Sequence, residues 1–224
     1  MSKAVSVEYR GRIAIITIDN QKQLNALTQD EYYELATYMR DIAQHDEVFI
    51  TILTGKGRYF SAGANVSISS SQPDDDSDLA KHWLRTFVAG NLNITHAFYT
   101  HPKILITALN GPAIGLSAAL IAFSDFIYCV PSTFLLTPFS SLGLVSEGNA
   151  SRAFVQRLGI AKANEALLMS KRITAEELLS VGFVNKIFEE CGKGEDEKFL
   201  GLVLEEVEER LGEHLIGSSL IQIK

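Results

Sequence analysis

Cysteine and proline are scarce in this chain of 224 residues, two of the first and five of the second. Cys129 and Cys191 are too few and too far apart for a disulfide framework, and their spacing is not that of a metal site. Cys129 lies in an apolar, strand-like run and reads as a small buried hydrophobe. A reducing compartment fits this usage. No apolar run approaches the ~20 residues needed to cross a bilayer, so no membrane span is expected. The N-terminus lacks the apolar core of a secretory signal, which makes the Asn-x-Ser/Thr matches at Asn93 and Asn149 coincidental. Positive charge is also in deficit. A net charge of −7 speaks against a nucleic-acid partner, which favours a basic face, yet leaves room for a small anion met by local lysines. The histidines (His45, His82, His96, His101 and His214) show no ligand spacing, so no metal is expected.

What is present is a globular composition, 46% hydrophobic and 21% charged, long enough to bury a sizeable core as one domain with a small appendage. Val5 to Tyr9 and Arg12 to Asp19 are rich in β-branched residues and read as a hairpin about Gly11. Thr28-x-x-Glu31 has the form of a capping box and opens a helix to about His45. Val48 to Leu53, Ile104 to Leu109, Phe126 to Val130 and Phe134 to Thr137 read as strands. An amphipathic helix is predicted over Leu79 to Tyr99 and a shorter one from Leu116 to Phe123. A second capping box at Thr174-x-x-Glu177, a strand over Val184 to Phe188 and a charged helix from Glu195 to Leu211 complete the pattern. Strand–helix alternation of this kind is α/β. Residues 67–78 are serine-rich and carry Asp74-Asp75-Asp76; a solvated surface loop is the expectation, with cation binding the minor alternative.

Three segments carry chemistry. Phe60-Ser61-Ala62-Gly63-Ala64-Asn65 exposes small residues where a strand ends, the usual ligand side of an α/β sheet. Asn110-Gly111-Pro112-Ala113-Ile114-Gly115-Leu116 sets two glycines and a proline before a helix of small residues, which brings backbone N–H groups and a positive helix end to a ligand. Thr137-Pro138-Phe139-Ser140-Ser141-Leu142-Gly143-Leu144-Val145-Ser146-Glu147-Gly148 holds one carboxylate, Glu147, in an uncharged run. A desolvated acid beside an anion-stabilising backbone suits proton transfer next to a carbonyl. Taken alone, Glu147 is equally well a helix N-terminal acid favoured by the dipole.

These segments, in this order, resemble the crotonase (enoyl-CoA hydratase/isomerase) superfamily over residues 5–190, and most specifically its fungal-type peroxisomal Δ3,Δ2-enoyl-CoA isomerase branch. The resemblance implies a crotonase-like spiral of ββα repeats, with two roughly perpendicular sheets and surrounding helices. It also implies a homo-oligomer, a trimer or a hexamer built from trimers. A catalytic core over 1–190 would be followed by the start of a C-terminal helical region over 191–224. Relatives continue several tens of residues past Lys224, where peroxisomal members end in a Ser-Lys-Leu-like signal. Localisation is therefore peroxisomal by resemblance, with mitochondria or cytosol as the alternatives.

The resemblance also assigns roles. The amides of Ala64 and Leu116 would grip a thioester oxygen, and Ala62, Gly63, Ala64, Asn65, Val66 and Leu116 would line the acyl-CoA site. Asn65 stands where many relatives carry Asp, and Lys22 where relatives often meet the CoA phosphates. Hydratases of this superfamily use two glutamates, at the positions of Ala119 and Phe139 here. Dienoyl-CoA isomerases pair an acid at the Phe139 position with one at the Glu147 position. Both pairs are incomplete, which leaves Glu147 as a single acid/base for a 1,3-proton shift converting a 3-enoyl-CoA to the trans-2-enoyl-CoA. Phe139, Leu144 and Val145 are the neighbours expected to raise its proton affinity. No cofactor is implied, CoA being part of the substrate. Two alternatives remain: another CoA-thioester enzyme of the same fold (hydrolase or lyase), and a catalytically silent acyl-CoA-binding protein.

Overall fold

A computed structural model describes residues 4–65 and 78–224. Strands β1 (Val5–Arg10) and β2 (Ile13–Ile18) form the expected hairpin, with Val5 opposite Ile18 and Arg10 opposite Ile13. Helix α1 (Gln29–Ala43) starts at the Thr28 capping box: Glu31 N donates to Thr28 Oγ1 and Thr28 N donates to Glu31 Oε2. Two otherwise orphaned amides are thereby satisfied. Strands β3 (Ile50–Gly55), β4 (Ile104–Leu109) and β6 (Phe126–Cys129) then extend β2 in parallel, and β9 (Lys186–Ile187) closes a six-stranded sheet of order β1-β2-β3-β4-β6-β9. A second sheet of three short strands joins β5 (Ala113–Ile114), β7 (Phe134–Leu136) and β8 (Ile173–Thr174).

The large sheet is covered on both faces, and its alternating residues say by what. Ala14, Ile16, Leu53, Leu105 and Leu109 point into a core shared with Leu35, Met39, Phe98, Leu120 and Phe154. Ile13, Ile15, Ile50, Ile52, Ile104 and Ile106 point the other way, onto Phe199, Val203, Val207 and Leu211. Those four residues form one stripe of α6 (Asp196–Leu211), at intervals of four along the helix. Helices on both faces suit a parallel sheet whose strands read as continuous apolar runs. Cys129 and Cys191 are both buried and unpaired, and burial pushes the Cys129 thiol up to about 12.

The predicted helix over Leu79–Tyr99 is the one element that differs in kind. It begins as α2 (Leu79–Trp83), widens into a π-helical stretch over Leu84–Leu92 and returns to α geometry in α3 (Asn93–Tyr99). Its buried residues, Ile94, Ala97 and Phe98, all lie in α3, which packs on α1. Leu79, Trp83, Leu84, Phe87 and Val88 remain exposed, so the amphipathic pattern is not spent on this chain's own core. Among the described residues, no helix is long and apolar enough to cross a membrane.

Candidate functional site

The loop after β3 is held by two buried asparagines. Asn25 Nδ2 donates to the carbonyls of Lys56 and Tyr59 at 2.9 and 2.7 Å. Asn110 Nδ2 donates to Gly57 O at 2.8 Å, while its Oδ1 accepts from Gly55 N. Beyond Phe60 the chain runs beside Leu24–Leu27. Ala62 N donates to Leu24 O, Leu27 N to Gly63 O and Asn65 N to Leu27 O, each at 2.9 Å. Gly63 O and Asn65 N, on either side of Ala64, thus both bond Leu27, and this parallel bridge turns the Ala64 N–H away from Leu27. Across the loop, Ile114 N donates to Ser61 O at 2.9 Å, tying it to the entry of α4 (Gly115–Leu120). Leu116 lies in the first turn of α4, where an amide has no intrahelical acceptor. Among the described residues, neither the Ala64 nor the Leu116 amide donates to a protein group.

Gly63 makes the approach of these two backbones possible. Its φ is +90°, and a Cβ there would lie 2.7 Å from Ile114 O and 3.6 Å from Gly115 Cα. Any larger residue would push the first loop away from the α4 entry.

Glu147 lies in the loop before α5 (Ala150–Leu167) and is half-buried. Gly148 seats that loop on α4: a Cβ at Gly148 would come within 2.9 Å of Ala119 Cβ and 3.0 Å of Leu116 Cδ1. The acid therefore rises next to the helix that carries the Leu116 amide. Asn91 Nδ2 donates to Glu147 Oε2 at 2.9 Å. Burial raises the Glu147 pKa above its ordinary 4.5, and the Asn91 hydrogen bond opposes part of that rise. The expected cause needs correction, because Leu144 and Val145 are exposed, Val145 to 82%. Of the three predicted neighbours, Phe139 alone is buried.

Ala62, Gly63, Ala64, Asn65, Leu116 and Glu147 are thus gathered around the α4 entry, through the Ser61–Ile114 bridge and the Gly148–Leu116 contact. Val66 and Asp74–Asp76 lie outside the described residues. Asn65 Nδ2 donates to Gln23 Oε1 at 3.0 Å, which joins the loop to the single turn Gln21–Gln23 that carries the exposed Lys22. Among the described residues, no group of three or more His, Cys, Asp or Glu side chains could hold a metal. Asn91 was not legible as a site residue. It is one polar residue inside a predicted helix, and its partner is 56 positions away. A cavity of about 400 Å³ is lined by Leu92, Thr95, His96, Tyr99, Phe123, Asn149 and Arg152, and neither Asn91 nor Glu147 lines it.

The fold defines a crotonase-type protein, with a half-buried carboxyl, Glu147, in the loop seated on α4. Residues 8–197 match the enoyl-CoA hydratase/isomerase family, and the chain belongs to that family. It is 61% identical to a Delta(3,5)-Delta(2,4)-dienoyl-CoA isomerase of Pyricularia oryzae, over 100% of this chain and 83% of that protein. It is 36% identical to the 3,2-trans-enoyl-CoA isomerase of Saccharomyces cerevisiae, over 94% of this chain and 76% of that one. The crystal structure of an enoyl-CoA hydratase/isomerase from Pseudoalteromonas atlantica superposes with a TM-score of 0.82 at 25% identity, covering 98% of this chain and 80% of its own.

Proposed function

We propose that the protein is a CoA-thioester isomerase of unsaturated fatty acid oxidation, and that its reaction is conversion of a 3-enoyl-CoA to the trans-2-enoyl-CoA. The observation that carries this reading is the solitary Glu147 carboxyl. It is desolvated, bonded to Asn91 and set beside α4, with no second carboxylate acting on it among the described residues. Asn91 occupies Oε2, which leaves Oε1 to take the proton. Glu147 removes a proton from C2; the electrons move into a dienolate whose oxygen accepts from the Ala64 and Leu116 N–H groups. The same carboxyl then returns the proton to C4 as the double bond settles between C2 and C3. No cofactor is required, because nothing is oxidised and no group leaves. Paired amide donors suit the enolate better than the thioester, and loss of one such donor typically costs ~10²–10³ in rate.

A second reading follows from the dienoyl-CoA isomerase name of the Pyricularia relative. Moving 3,5 double bonds to 2,4 requires the proton from C2 to reach C6, farther along the acyl chain, and the resemblance assigns that task to a pair of acids. Here Phe139 takes the place of one of them and is buried at 4% exposure, which favours the shorter shift. The deciding experiment supplies purified protein with a 3-enoyl-CoA and, separately, a 3,5-dienoyl-CoA, with Glu147→Gln alongside. The expected result is turnover of the 3-enoyl ester and a loss of ~10²–10⁴ in the variant, the usual worth of a positioned base. Preferential turnover of the dienoyl ester would replace the first reading by the second. Release of free CoA thiol would point to a hydrolase, and ester binding without turnover to an acyl-CoA-binding protein.

The exposed apolar run Trp83, Leu84, Phe87 and Val88 supports self-association, which sedimentation of the purified protein tests. A peroxisomal location rests on family relation, and cell fractionation tests it.

A further inference from the structure

Three buried hydroxyls lie in line behind the two proposed oxyanion donors, and no step of the proton shift uses them. Tyr32 on α1, Ser117 on α4 and Ser61 in the first loop are exposed by 4% or less. Tyr32 Oη is 3.0 Å from Ser117 Oγ, and Ser117 Oγ is 2.8 Å from Ser61 Oγ. Ser61 Oγ also donates to Asn25 O at 2.8 Å and accepts from Gly63 N at 3.1 Å. The direction of every proton follows from this. A carbonyl cannot donate, so the Ser61 proton goes to Asn25 O. Ser117 must then donate to Ser61, and Tyr32 to Ser117. Each hydroxyl has one proton to give, so the chain has one consistent arrangement, Tyr32 to Ser117 to Ser61 to Asn25. Burial raises the Tyr32 pKa above its ordinary 10.0, and the Glu147 charge adds to the rise, so Tyr32 keeps its proton at every working pH.

The placement of the chain gives it a use. Ser117 follows Leu116 directly, and Ser61 stands three residues before Ala64 while holding the Gly63 amide. We propose that Tyr32, Ser117 and Ser61 are positioning residues that lock the Ala64 and Leu116 amides at one separation, so that both reach a single thioester oxygen. This inference rests on the isomerase reading for its rate effects, but not for its structural effect. A buried chain of polar groups with every member satisfied is rigid, and losing one member strands its neighbours. Ser117→Ala would leave the Tyr32 hydroxyl without an acceptor and remove the Ser117 donor from Ser61 Oγ, which would keep only the Gly63 amide, freeing the first loop to move relative to α4.

The test reads the bound carbonyl directly. A saturated acyl-CoA, which cannot isomerise, is bound to the wild type, to Ser117→Ala and to Tyr32→Phe, and the infrared stretch of its thioester C=O is recorded together with its affinity. In the wild type, two converging donors shift the stretch to lower wavenumber than in water. Ser117→Ala is expected to lose much of that displacement and to lower kcat about tenfold, less than outright loss of a donor, with the affinity within about twofold because binding is spread over the whole CoA ester. Tyr32→Phe keeps the ring volume and removes only the first donor. It is expected to show the same change at smaller amplitude, and it decides the matter should Ser117→Ala fail to fold. A wild-type stretch and kcat in a folded Tyr32→Phe or Ser117→Ala protein would overturn the proposal. A displaced stretch in a wild type that isomerises nothing would instead remove the isomerase reading and leave the positioning chain standing.

Discussion

At the scale of single residues the site turns on one carboxyl held between two opposing influences. Burial raises the pKa of Glu147 above 4.5 and Asn91 pulls it back. A carboxyl whose folded-state pKa is raised contributes stability while it is protonated, and that contribution is lost as pH rises through the folded pKa. At neutral pH the carboxylate therefore works against the fold. Glu147→Gln should lower turnover by ~10²–10⁴ while leaving the thermal midpoint unchanged or higher, which calorimetry checks; a clear fall would mean that the ionised group is structural. Asn91→Ala removes the bond that favours the ionised form. The acid limb of the kcat/KM profile should then move to higher pH, and a limb that stays in place would show that Asn91 does not tune the base.

At the scale of elements, two short stretches of backbone hold the site together. The Gly63 loop docks on the α4 entry, and Gly148 seats the Glu147 loop on the side of α4. Gly148 has φ +58°, and its hydrogen faces Ala119 and Leu116. Gly148→Ala should push the acid off the helix and reduce kcat by roughly 10², the order of loss that accompanies a 1 Å misplacement. Ester binding should persist, as a titration would show; loss of binding instead would mean that the loop is part of the ester site. The π-helical stretch is a third element at work. Wide turns of this type are frequent at functional sites, and this one ends by presenting Asn91 to Glu147. Both capping boxes, at Thr28 and Thr174, were readable because a cap is a local contract between residues three apart. The wide turn was not, since apolar spacing that fits an α-helix loosely does not announce a change of winding.

At the scale of the whole molecule, the parallel sheet and its two apolar layers provide a frame that polar groups cross in few places. One is His101, 4% exposed, whose Nε2 lies 2.8 Å from Thr51 Oγ1 on β3. Burial first, and then the charge of Lys224, depresses its pKa from 6.5 to about 3. A histidine with a depressed folded-state pKa stabilises the fold fully above its unfolded value, and this stability is lost as pH falls towards the folded pKa. Urea midpoints should therefore decline from about pH 6.5 downward, by no more than about 1.4 kcal/mol per pH unit for one proton. His101→Gln should flatten that decline, and an unchanged slope would assign acid sensitivity to other groups.

Strands β1 to β4, β6 and β7, the two capped helices, the two glycine-rich loops and Glu147 were all determined by the sequence itself, because alternation, caps and turn glycines act over a few residues. Tertiary structure alone decided that Ser61 Oγ meets Ser117 Oγ across 56 positions, that Asn91 meets Glu147 across the same span, and that Leu144 and Val145 face solvent. Their physical reason is shared. A hydrogen bond or a burial between distant segments depends on how the chain closes, and neither the polarity nor the spacing of a residue records which partner the closed chain will bring to it.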